Sequence, residues 1–387
     1  MIIPEKLLTM IHAIASSGGT ALIVGGAVRD SLLNLPLKDY DIEVFGIASL
    51  EHLTEILSPF GPLNIVGDSF GVLKHNSADL EVDFALPRTE KKVSEGHKGF
   101  TVETDGNLSF ETAASRRDFT INSMGYNPLT QILLDPFNGQ SDLKNKRILH
   151  VGPAFVEDPL RVFRAMQFAA RFEFSVADET AQLCRTMPLE ELPKERIFDE
   201  FSKLLLKAKR PSLGFDLMES LGLAPLYPEL SALKDCPQDP EWHPEGDVWA
   251  HTMMVVDYMA SLEAASKNKL VFMLAALCHD LGKPATTKKI KEKWTSYGHE
   301  QAGVPPTLRF LKKITNDRSI LDGVTPLVEH HLKPLLLWKS DQVDGVGDAA
   351  IRRLSTKICI EDLLVLVEAD HFGRTTPEAL SGKFEIG

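Results

Sequence analysis

The order of apolar and polar positions in the first third of the chain predicts strands and helices in alternation. Residues 1–19 have the apolar spacing of a short amphipathic helix. The apolar run Ala21–Val24 is typical of a strand, and the glycine pair after it leads into a brief helix at Val28–Leu33. This first unit, which runs to about Pro136, is expected to be α/β. Further strands are predicted at Leu37–Phe45, Gly71–His75, Leu80–Leu86 and Gln131–Leu134.

One polar stretch interrupts this pattern. Residues Arg88–Asn107 are rich in Lys, Glu and Gly and have no regular apolar period. That composition predicts a mobile loop within the first unit.

Beyond about Gly139 the apolar positions follow the period of a helix. Asp158–Phe174 is the clearest case, and Pro159 suits the first turn of that helix. The polar stretch Cys236–Trp242 predicts a boundary before a second, all-helical unit. The other predicted helices are Ile197–Lys207, Leu213–Leu221, Trp249–Ala265, Lys269–Leu281, Gly298–Ile314 and Glu361–Asp370.

The composition is that of an ordinary globular protein, with 387 residues, 43% hydrophobic and 25% charged. This length predicts two or more domains. No apolar run approaches the length that crosses a bilayer, and the first 19 residues lack the basic start and uniform apolar core of a secretory signal. The four cysteines have no paired spacing, which predicts buried thiols and a reducing, cytoplasmic location.

The charge of the chain is uneven. Its formal net charge of −12 argues against indiscriminate binding to nucleic acid. The stretch Lys144–Arg210, however, contains 13 Lys and Arg and 10 Asp and Glu, a surplus of three positive charges. This stretch is the best candidate for contact with a polyanion, although a helical region with solvated lysines would have the same composition.

Two aspartates in one predicted strand suggest a metal site. Asp39 and Asp41 stand two residues apart, so both carboxylates point to the same face. Their repulsion becomes attraction if divalent cations that also bind a triphosphate lie between them. The turn at Gly25 and Gly26 would let backbone N–H groups approach the phosphates. A solvated strand edge is the alternative for Asp-x-Asp alone, and the glycine pair with Arg29 favours the metal site.

A third carboxylate on a neighbouring strand would complete such a site. Asp83 is the candidate, and Glu81 is one strand period away. Either residue could also be structural or solvated.

Two further segments could contact a nucleotide. Arg116 and Arg117 precede Asp118 and Asn122, and guanidinium groups match phosphate oxygens well, although an Arg–Asp surface pair is the plain alternative.

In the segment Glu157–Arg164, a helix would place Asp158 and Arg161 on one face, where donors and acceptors together could read a Watson–Crick edge. An intrahelical salt bridge is the alternative. Arg164, one turn later, joins them as a candidate nucleotide contact.

The second unit carries a set of potential metal ligands. His251, the dipeptide His279-Asp280 and the distant Asp370 form a mixed N/O donor set for a divalent cation. Lys283 follows closely and could bind a phosphate. For any one histidine, a packed core position is the alternative. Other histidines that could line the same pocket are His243, His299, His330 and His331.

These motifs together resemble the bacterial class II tRNA nucleotidyltransferases, or CCA-adding enzymes, joined to a unit that resembles an HD-domain phosphohydrolase. The strings are Gly-Gly-x-Val-Arg-Asp, Asp-x-Asp, Arg-Arg-Asp-Phe-Thr-Ile-Asn, Glu-Asp-x-x-Arg and His-Asp-Leu-Gly-Lys. The resemblance runs from about Ala21 to Arg374. It implies an α+β, polymerase β-like head with a mixed sheet at 1–137, an all-α neck and body at 138–235 and an all-α HD domain at 236–387.

The resemblance also implies partners and cofactors. Asp39 and Asp41 would bind Mg²⁺ and activate the 3′ hydroxyl of tRNA, while Asp158 and Arg161 would select CTP and then ATP. The helical neck would hold the acceptor arm, and the Arg88–Asn107 loop would serve the switch from C to A. The HD site would hold Ni, Mn, Co or Mg and hydrolyse phosphoesters such as 2′,3′-cyclic phosphates, in a monomer or homodimer. The implied contacts to triphosphate and ribose are Gly25, Gly26, Arg29, Arg116 and Asp118.

Other activities fit part of the same pattern. An A-adding enzyme or a poly(A) polymerase shares Asp-x-Asp and Glu-Asp-x-x-Arg, but the acidity of the chain speaks against a general poly(A) polymerase. The polar loop speaks against a relative that adds only CC. A phosphohydrolase or nucleotide sensor whose first unit only binds RNA would be expected to lack one carboxylate of Asp-x-Asp. Relatives of the multifunctional type often continue with further helices, so we expect either that the HD unit is shortened or that the sequence is trimmed at its C-terminal end.

Overall fold

A computed structural model describes residues 1–37, 39–66, 71–77, 80–92, 100–104, 106–262, 268–344 and 347–384. The chain divides into two compact units, Met1–Asp158 and Pro159–Gly387. The first unit extends past residue 137 because the segment after it packs back: Thr120 Oγ1 donates to Asp142 Oδ2 at 2.6 Å, and the rings of Phe119 and Phe155 lie 5.6 Å apart. The residues on either side of the expected 235/236 boundary belong to one compact unit.

The first unit contains ten strands and five α-helices among its described residues. The helices are α1 (Glu5–Ser16), α2 (Gly26–Leu32), α3 (Leu50–Leu57), α4 (Phe110–Ala114) and α5 (Gly139–Lys144). The strands are β1 (Thr20–Val24), β2 (Asp39–Phe45), β3 (Asn64–Val66), β4 (Val72–Ser77), β5 (Leu80–Ala85), β6 (Arg88–Lys92), β7 (Phe100–Thr104), β8 (Gly125–Asn127), β9 (Ile132–Leu134) and β10 (Arg147–Ile148).

Seven of these strands form one mixed sheet in the order β3-β4-β5-β2-β1-β8-β9. β2 and β5 are parallel, and the other neighbouring pairs are antiparallel. The predicted mixed-sheet head and its strands are confirmed. Along β2, Tyr40, Ile42 and Val44 are buried while Asp39 and Asp41 are exposed, so the two carboxylates share the solvent face as predicted.

The prediction of a loop at Arg88–Asn107 is wrong in part. The backbones of β6 and β7 pair as an antiparallel hairpin, from Arg88 opposite Thr104 to Lys92 opposite Phe100. The β-branched and aromatic residues of Phe100–Thr104 favour an extended backbone, and the polar composition of the whole stretch hides this signal. Residues 93–99 and 105 lie outside the described residues.

The second unit is built mainly of helices, as predicted. They are α6 (Leu160–Phe172), α7 (Asp178–Cys184), α8 (Lys194–Lys207), α9 (Ser212–Phe215), α10 (Pro228–Ser231), α11 (Val248–Ser261), α12 (Lys269–Cys278), α13 (Lys283–Thr286), α14 (His299–Ala302), α15 (Val304–Ile314), α16 (Arg318–His330), α17 (Lys333–Asp344), α18 (Asp348–Ser355), α19 (Ile360–Phe372) and α20 (Pro377–Leu380). The short strands are β11 (Ser175–Val176), β12 (Lys288–Ile290) and β13 (Lys293–Thr295).

The second unit differs from the predicted helices in three places. β12 and β13 pair as a hairpin whose two turn residues, Lys291 and Glu292, have φ of 47° and 67°, as a tight two-residue turn requires. The predicted helix Gly298–Ile314 is divided into α14 and α15, because the prolines after Val304 suit the start of a new helix. The predicted helix Leu213–Leu221 is reduced to α9. Residue 265, the predicted end of another helix, lies outside the described residues.

The core of the second unit brings its polar ligands together. Every residue of α12 from Phe272 to Cys278 is buried, and α12 packs against α11, α16 and α19. His279 and Asp280 follow directly at the C-terminal end of this central helix. The neighbouring helices therefore direct their own polar side chains toward one buried location.

Two global expectations can be compared with the structure. None of the described helices has the length and apolar character needed to cross a membrane. All four cysteines are free thiols, with Cys184, Cys236 and Cys278 buried and Cys359 exposed. The prediction of buried thiols thus holds for three of the four.

Candidate active sites

Three strands place the acidic residues of the first unit side by side. In the parallel pair of β2 and β5, Asp41 lies opposite Asp83 and Asp39 lies opposite Glu81. In the antiparallel pair of β1 and β2, Val24 lies opposite Asp41, so the glycine turn that follows Val24 emerges beside this carboxylate. The sequence-predicted aspartates and glycine turn therefore meet at one edge of the sheet face.

The negative charge of Asp41 is incompletely compensated by its surroundings. Desolvation by the surrounding protein raises the pKa of Asp41, and the negative charges of Asp83 and Asp39 raise it further. The guanidinium of Arg117 opposes this shift without cancelling it. A bound divalent cation would remove this repulsion, so the donor set fits the Mg²⁺ that the sequence predicts.

Asp83 is held in place by a lysine that the sequence reasoning did not identify. Lys74 Nζ lies 2.7 Å from Asp83 Oδ2, and this hydrogen bond raises the pKa of Lys74. The other oxygen, Oδ1, is buried and accepts no hydrogen bond from the described residues. The register of β4 and β5 could have indicated this pair, because Lys74 lies opposite Asp83.

Gly25 closes the turn beside the acidic face. Its φ of 68° lies in the left-handed region, and a Cβ added there would lie 2.8 Å from Arg117 Nη1 and 3.9 Å from Asp41 Oδ2. Arg117 in turn lies 3.4 Å from Glu43 Oε2, a partner that the sequence reasoning missed. Glycine at this position thus leaves a narrow space between the Arg117 guanidinium and the Asp41 carboxylate. The backbone N–H groups of the first turn of α2 follow directly after it.

We expect Gly25→Ala to impair nucleotide binding more than folding. A positive φ costs alanine about 1 kcal/mol, and its Cβ would displace Arg117 from its position beside Asp41. The KM for CTP should rise at least about tenfold, whereas urea unfolding should show a loss of about 1 kcal/mol. Gly18→Ala is the matched control, because Gly18 also has a positive φ but a Cβ there meets no atom within 4 Å. An unchanged KM in Gly25→Ala would contradict the role given to this turn.

Arg29, Asn122 and Asp118 form a buried network behind this turn. Arg29 Nη1 donates to Asn122 Oδ1 at 2.5 Å, and Arg29 Nη2 lies 2.6 Å from Asp30 Oδ1. Asp118 Oδ1 accepts from Asn122 Nδ2 at 2.9 Å and from the Phe119 N–H at 2.7 Å. The sequence predicts nucleotide contacts for Arg29, Asp118 and Asn122, and their burial favours support of α2 instead.

Arg116 and Arg117 are more accessible to solvent than Arg29. Arg116 donates a hydrogen bond to the carbonyl of Arg88, at the start of β6, and Arg117 Nη1 donates to the carbonyl of Asn122 at 3.5 Å. Both side chains are half-buried. They are better placed than Arg29 to contact a phosphate.

The predicted base-reading residues occupy different local structures. Asp158 has an extended backbone, with φ −123° and ψ 100°, and α6 begins only at Leu160. The assumption that Asp158 lies on the helix with Arg161 is therefore wrong, because Pro159 occupies the turn before the helix begins. Arg161 and Arg164 lie in α6, where Arg164 Nη1 is 3.6 Å from Glu200 Oε1.

The second unit joins the predicted metal ligands from separate helices. Nε2 of His279 lies 3.4 Å from Nε2 of His251 and 3.2 Å from Asp280 Oδ2. Asp370 Oδ1 lies 3.0 Å from His251 Nε2. All four side chains are buried, and ligand atoms of His251, His279 and Asp280 lie within 4.8 Å of one another. The predicted constellation is thus assembled, and its N/O donors fit a divalent cation.

The charges in this cluster are strongly coupled. Burial alone would raise the pKa of Asp280, but His279 and Lys283 hold that pKa well below its usual range. Asp370 behaves in the same way, with Arg374 as the main opposing charge. Both carboxylates are therefore ionised at neutral pH. Lys283 Nζ lies 2.7 Å from Asp280 Oδ2 and also donates to Gln238 Oε1, so its predicted phosphate contact competes with these bonds.

A second group of ligands lies on the other side of Asp280. His299 Nε2 lies 3.2 Å from Asp280 Oδ1 and 3.1 Å from His331 Nε2. Burial, with the charges of His299 and His279, lowers the pKa of His331 to about 3, so its imidazole is neutral. The structure thus places His299 and His331 beside Asp280, within the pocket that the sequence predicts them to line. His330 belongs to none of the ligand groups found among the described residues.

Glu245 lies beside the candidate ligand His251, and the sequence reasoning gave it no role. Its Oε1 lies 2.9 Å from Nδ1 of His251 and 2.9 Å from Nδ1 of His243, and its Oε2 accepts from the Thr375 N–H. Burial would raise the pKa of Glu245, but the two imidazoles hold that pKa below its usual range. A carboxylate at Nδ1 directs the Nε2 lone pair of a ligating histidine toward its metal. The only sequence signal for these contacts was the position of Glu245, two residues after His243.

Relatives of this chain align with it over most of its length. The multifunctional CCA protein of Chromobacterium violaceum is 38% identical over 315 residues, which cover 80% of this chain and 74% of that protein. The multifunctional CCA protein of Actinobacillus pleuropneumoniae is 36% identical over 363 residues, which cover 91% of this chain and 85% of that protein.

The chain belongs to the multifunctional CCA protein family. The predicted resemblance to CCA-adding tRNA nucleotidyltransferases is thereby confirmed. Family models divide this chain in the same order: the poly A polymerase head domain matches residues 21–149, and the probable RNA and SrmB-binding site of polymerase A matches residues 173–234. The HD domain model matches residues 248–372.

A solved structure shows the same fold. The Bacillus stearothermophilus CCA-adding enzyme in complex with CTP covers 99% of this chain with 80% of its own chain, at a TM-score of 0.66 and 22% identity. The predicted architecture, a nucleotidyltransferase head followed by a helical body and an HD domain, is confirmed.

Proposed function

We propose that this chain adds the nucleotides C, C and A to the 3′ end of tRNA from CTP and ATP. The observation that carries the proposal is the acidic face of β2, where Asp39 and Asp41 are exposed and Asp41 lies opposite Asp83 beside the Gly25 turn. The relatives of this chain are multifunctional CCA proteins, and this supports the same reaction.

Asp39 and Asp41 would hold Mg²⁺, with Asp83 as the third carboxylate. When bound, Mg²⁺ lowers the pKa of the attacking 3′ hydroxyl and offsets the charge that develops on the α-phosphate. Lys74 fixes the orientation of Asp83 through the contact at 2.7 Å. The Gly25–Gly26 backbone and the guanidinium groups of Arg116 and Arg117 would hold the triphosphate, because forked donors match its oxygens.

The buried network has a different proposed role. Arg29, Asn122 and Asp118 position α2 and the segment that carries Arg117, and so act on the nucleotide through other residues. Asp158, Arg161 and Arg164 would bind the base, with CTP and then ATP selected by complementary hydrogen bonds. A base with the wrong edge would leave buried donors or acceptors unpaired, which costs about 1–3 kcal/mol per group.

The decisive experiment is extension of defined tRNA ends. Transcripts that lack CCA, that end in C or that end in CC would be incubated with CTP alone, with ATP alone and with both. We expect CTP alone to add C residues up to CC, and ATP alone to add one A only to the CC end. Growth of the CC end alone would indicate an A-adding enzyme, and several A residues on any end would indicate a poly(A) polymerase. No extension of any end would contradict the proposal.

For the HD unit we propose metal-dependent hydrolysis of phosphoesters, with 2′,3′-cyclic phosphates at RNA ends as substrates. The buried group of His251, His279, Asp280 and Asp370 supports this activity. A divalent cation held there lowers the pKa of a water ligand and so supplies a nucleophile. Ni, Mn, Co and Mg all suit N/O donors. The metal-free chain should regain hydrolysis of a cyclic phosphate with at least one of these cations, and failure with all four would contradict this assignment.

The remaining assignments follow from these two activities. We propose three functional parts: a catalytic head at 1–137, a nucleotide-selecting and tRNA-binding neck and body at 138–235, and the hydrolytic HD part at 236–387. The surplus of positive charge from Lys144 to Arg210 supports tRNA contact through the second part. The four free thiols support a reducing, cytoplasmic location, where tRNA is matured.

A further inference from the structure

The exposed aromatic side chains of this protein lie near one another in the second unit. Among the residues whose side chains the structure describes, the exposed aromatic ones are Trp242 at 54%, Trp294 at 37% and Tyr297 at 78%. Tryptophan is on average buried over most of its surface, because its large ring is apolar. Exposed aromatic rings from neighbouring segments therefore indicate a surface that meets a partner.

The hairpin of β12 and β13 also concentrates positive charge. Residues 288–297 contain four lysines and one acid, in a chain with a net charge of −12. Two of these lysines pair with acids, at 2.5 and 2.6 Å. Lys288 and Lys291 are exposed and form no ion pair with any described residue. Two positive charges are thus free to attract an anionic partner beside the aromatic rings.

A salt bridge joins the hairpin to the turn that carries Trp242. Lys293 Nζ lies 2.6 Å from Oε2 of Glu241, the residue before Trp242. Lys339 Nζ, in α17, lies 5.5 Å from the centre of the Trp242 ring. The hairpin, this turn and α17 are therefore neighbours. We call their exposed aromatic and basic side chains the aromatic–lysine surface, which consists of Trp242, Lys288, Lys291, Trp294, Tyr297 and Lys339.

The segments that carry this surface continue into the buried cluster around Asp280. Trp242 precedes His243, whose ring lies 4.6 Å from the ring of a candidate metal ligand. Tyr297 stands two residues before His299, whose Nε2 lies 3.2 Å from Asp280 Oδ1. The hydroxyl groups of the two residues that flank the hairpin lie 2.7 Å apart, which fixes its base. A partner on the surface is thus bound by the same segments that form the cluster.

Stacking faces beside unpaired lysines are suited to a single strand of nucleic acid. Every base has a π face that can stack on an aromatic side chain, and lysines attract the phosphates between the bases. The bases of an RNA duplex are stacked on one another, whereas those of a single strand can be splayed apart. The excess of lysine on the hairpin favours this polyanion over an apolar segment of another protein.

We infer that the aromatic–lysine surface binds the single-stranded end of an RNA and presents its terminal phosphate to the cluster at Asp280. The catalytic meaning of this contact rests on the hydrolytic function proposed above, whereas the binding does not. Because stacking tolerates every base, the surface should accept ends of different sequence. It lies in a different part of the chain from the basic stretch Lys144–Arg210.

Two substrates with the same reacting group test this inference on the full chain. The first, 2′,3′-cyclic AMP, has the phosphate without further nucleotides, and the second is an RNA of about six nucleotides that ends in a 2′,3′-cyclic phosphate. For this RNA we expect Trp242→Ala and Trp294→Ala each to raise KM by about tenfold, because one stacking contact with a base is lost. The KM for 2′,3′-cyclic AMP and the kcat for both substrates should not change.

Matched variants separate stacking from damage to the hairpin. Ile290→Ala removes an apolar side chain from the same hairpin with nearly the same exposed fraction, 38%, and should leave both KM values unchanged. Trp294→Phe keeps an aromatic face and should recover most of the affinity for the RNA. Lys288→Gln combined with Lys291→Gln should raise the KM for the RNA at low salt and make it less dependent on salt.

Tryptophan emission measures the binding without any hydrolysis. All four tryptophans lie in the second unit, so quenching of their emission reports contacts with this unit. Titration of the metal-free full chain with the same RNA should quench the emission. Trp242→Phe combined with Trp294→Phe should remove most of the quenching, because Trp249 is buried and Trp338 is half-buried.

The outcomes separate the surface from the function of the HD unit. An unchanged KM for the RNA in both alanine variants, or an equal rise of KM for both substrates, would overturn the inference and leave the hydrolytic function standing. Quenching by the RNA without hydrolysis of any phosphoester would contradict the hydrolytic function and leave the surface standing. If Trp242→Ala with Trp294→Ala instead sediments as a smaller species and still binds the RNA normally, the surface joins copies of the chain and the inference is wrong.

Discussion

Asp41→Asn is expected to lower the rate of CTP incorporation into tRNA by about a thousandfold or more. The carboxylate lies opposite Asp83 and beside the Gly25 turn, and its loss removes one of the two acids that would hold Mg²⁺. Metal stabilisation of transferring phosphoryl groups amounts to several kcal/mol, and about 4 kcal/mol corresponds to a thousandfold change in rate. Single-turnover extension of a tRNA that lacks CCA measures this effect.

The same substitution should stabilise the metal-free protein. The pKa of Asp41 is raised in the native state above its ordinary value of 3.8, so ionising the group costs folding free energy. That cost is absent below the unfolded pKa, grows as pH rises through the native pKa and is complete above it. At pH 7 without metal, Asp41→Asn should therefore unfold at a higher urea concentration than the unsubstituted chain, and this gain should disappear below about pH 3.8.

A matched control separates a local effect from a general one. Glu55→Gln removes an exposed acid of α3 in the same unit and should leave both the extension rate and the urea midpoint unchanged. Addition of Mg²⁺ should raise the midpoint of the Glu55→Gln protein more than that of Asp41→Asn. Near-normal incorporation of CTP by Asp41→Asn would contradict the metal role given to this face.

Asp280→Asn should abolish phosphoester hydrolysis while nucleotide addition stays within about twofold of the unsubstituted chain. Asp280 belongs to two ligand groups, one with His251 and His279 and the other with His299 and His331. Its replacement therefore removes a negative ligand from each group. Loss of the cation removes the activated water, for which we expect a fall of about a thousandfold or more. Release of a monoester from an RNA ending in a 2′,3′-cyclic phosphate, assayed beside CTP incorporation, measures the two activities in one preparation.

Asp322→Asn is the control for this second prediction. It makes the same chemical change at an exposed position of α16 and should keep both activities. Asp280→Asn should also lose bound metal, because an amide oxygen is a weaker ligand than a carboxylate. Retention of hydrolysis with full metal content in Asp280→Asn would refute the site, and loss of both activities together would show that the two are not independent.

Local sequence signals predicted the parts of these sites that depend on short-range geometry. The two-residue spacing in β2 was sufficient to place Asp39 and Asp41 on one face, because a strand alternates its side chains. The His279-Asp280 dipeptide was recognisable at the end of an apolar helix. The alternating strands and helices of the first unit and the helical second unit followed from apolar periodicity, whereas the mixed sheet was implied by the resemblance to CCA-adding enzymes.

The parts that sequence reasoning missed depend on contacts between distant residues. Arg29 and Asp118 were predicted to contact the nucleotide, but tertiary packing buries both in one network. Glu245 received no role from the sequence, and its contact with His251 forms only in the folded chain. His299 was named only as possible pocket lining, and its contact with Asp280 likewise depends on tertiary packing. No local periodicity in the sequence indicates contacts between residues that are this far apart in the chain.

The most direct measurement of the central claim follows the α-phosphate of CTP. The full chain, Mg²⁺, α-labelled CTP and a tRNA that lacks CCA would be mixed, and the label would be counted in RNA and in free products. The account predicts label in RNA for the unsubstituted chain and almost none for Asp41→Asn. Label that stays out of RNA in the unsubstituted chain, while phosphate is released from CTP, would contradict it.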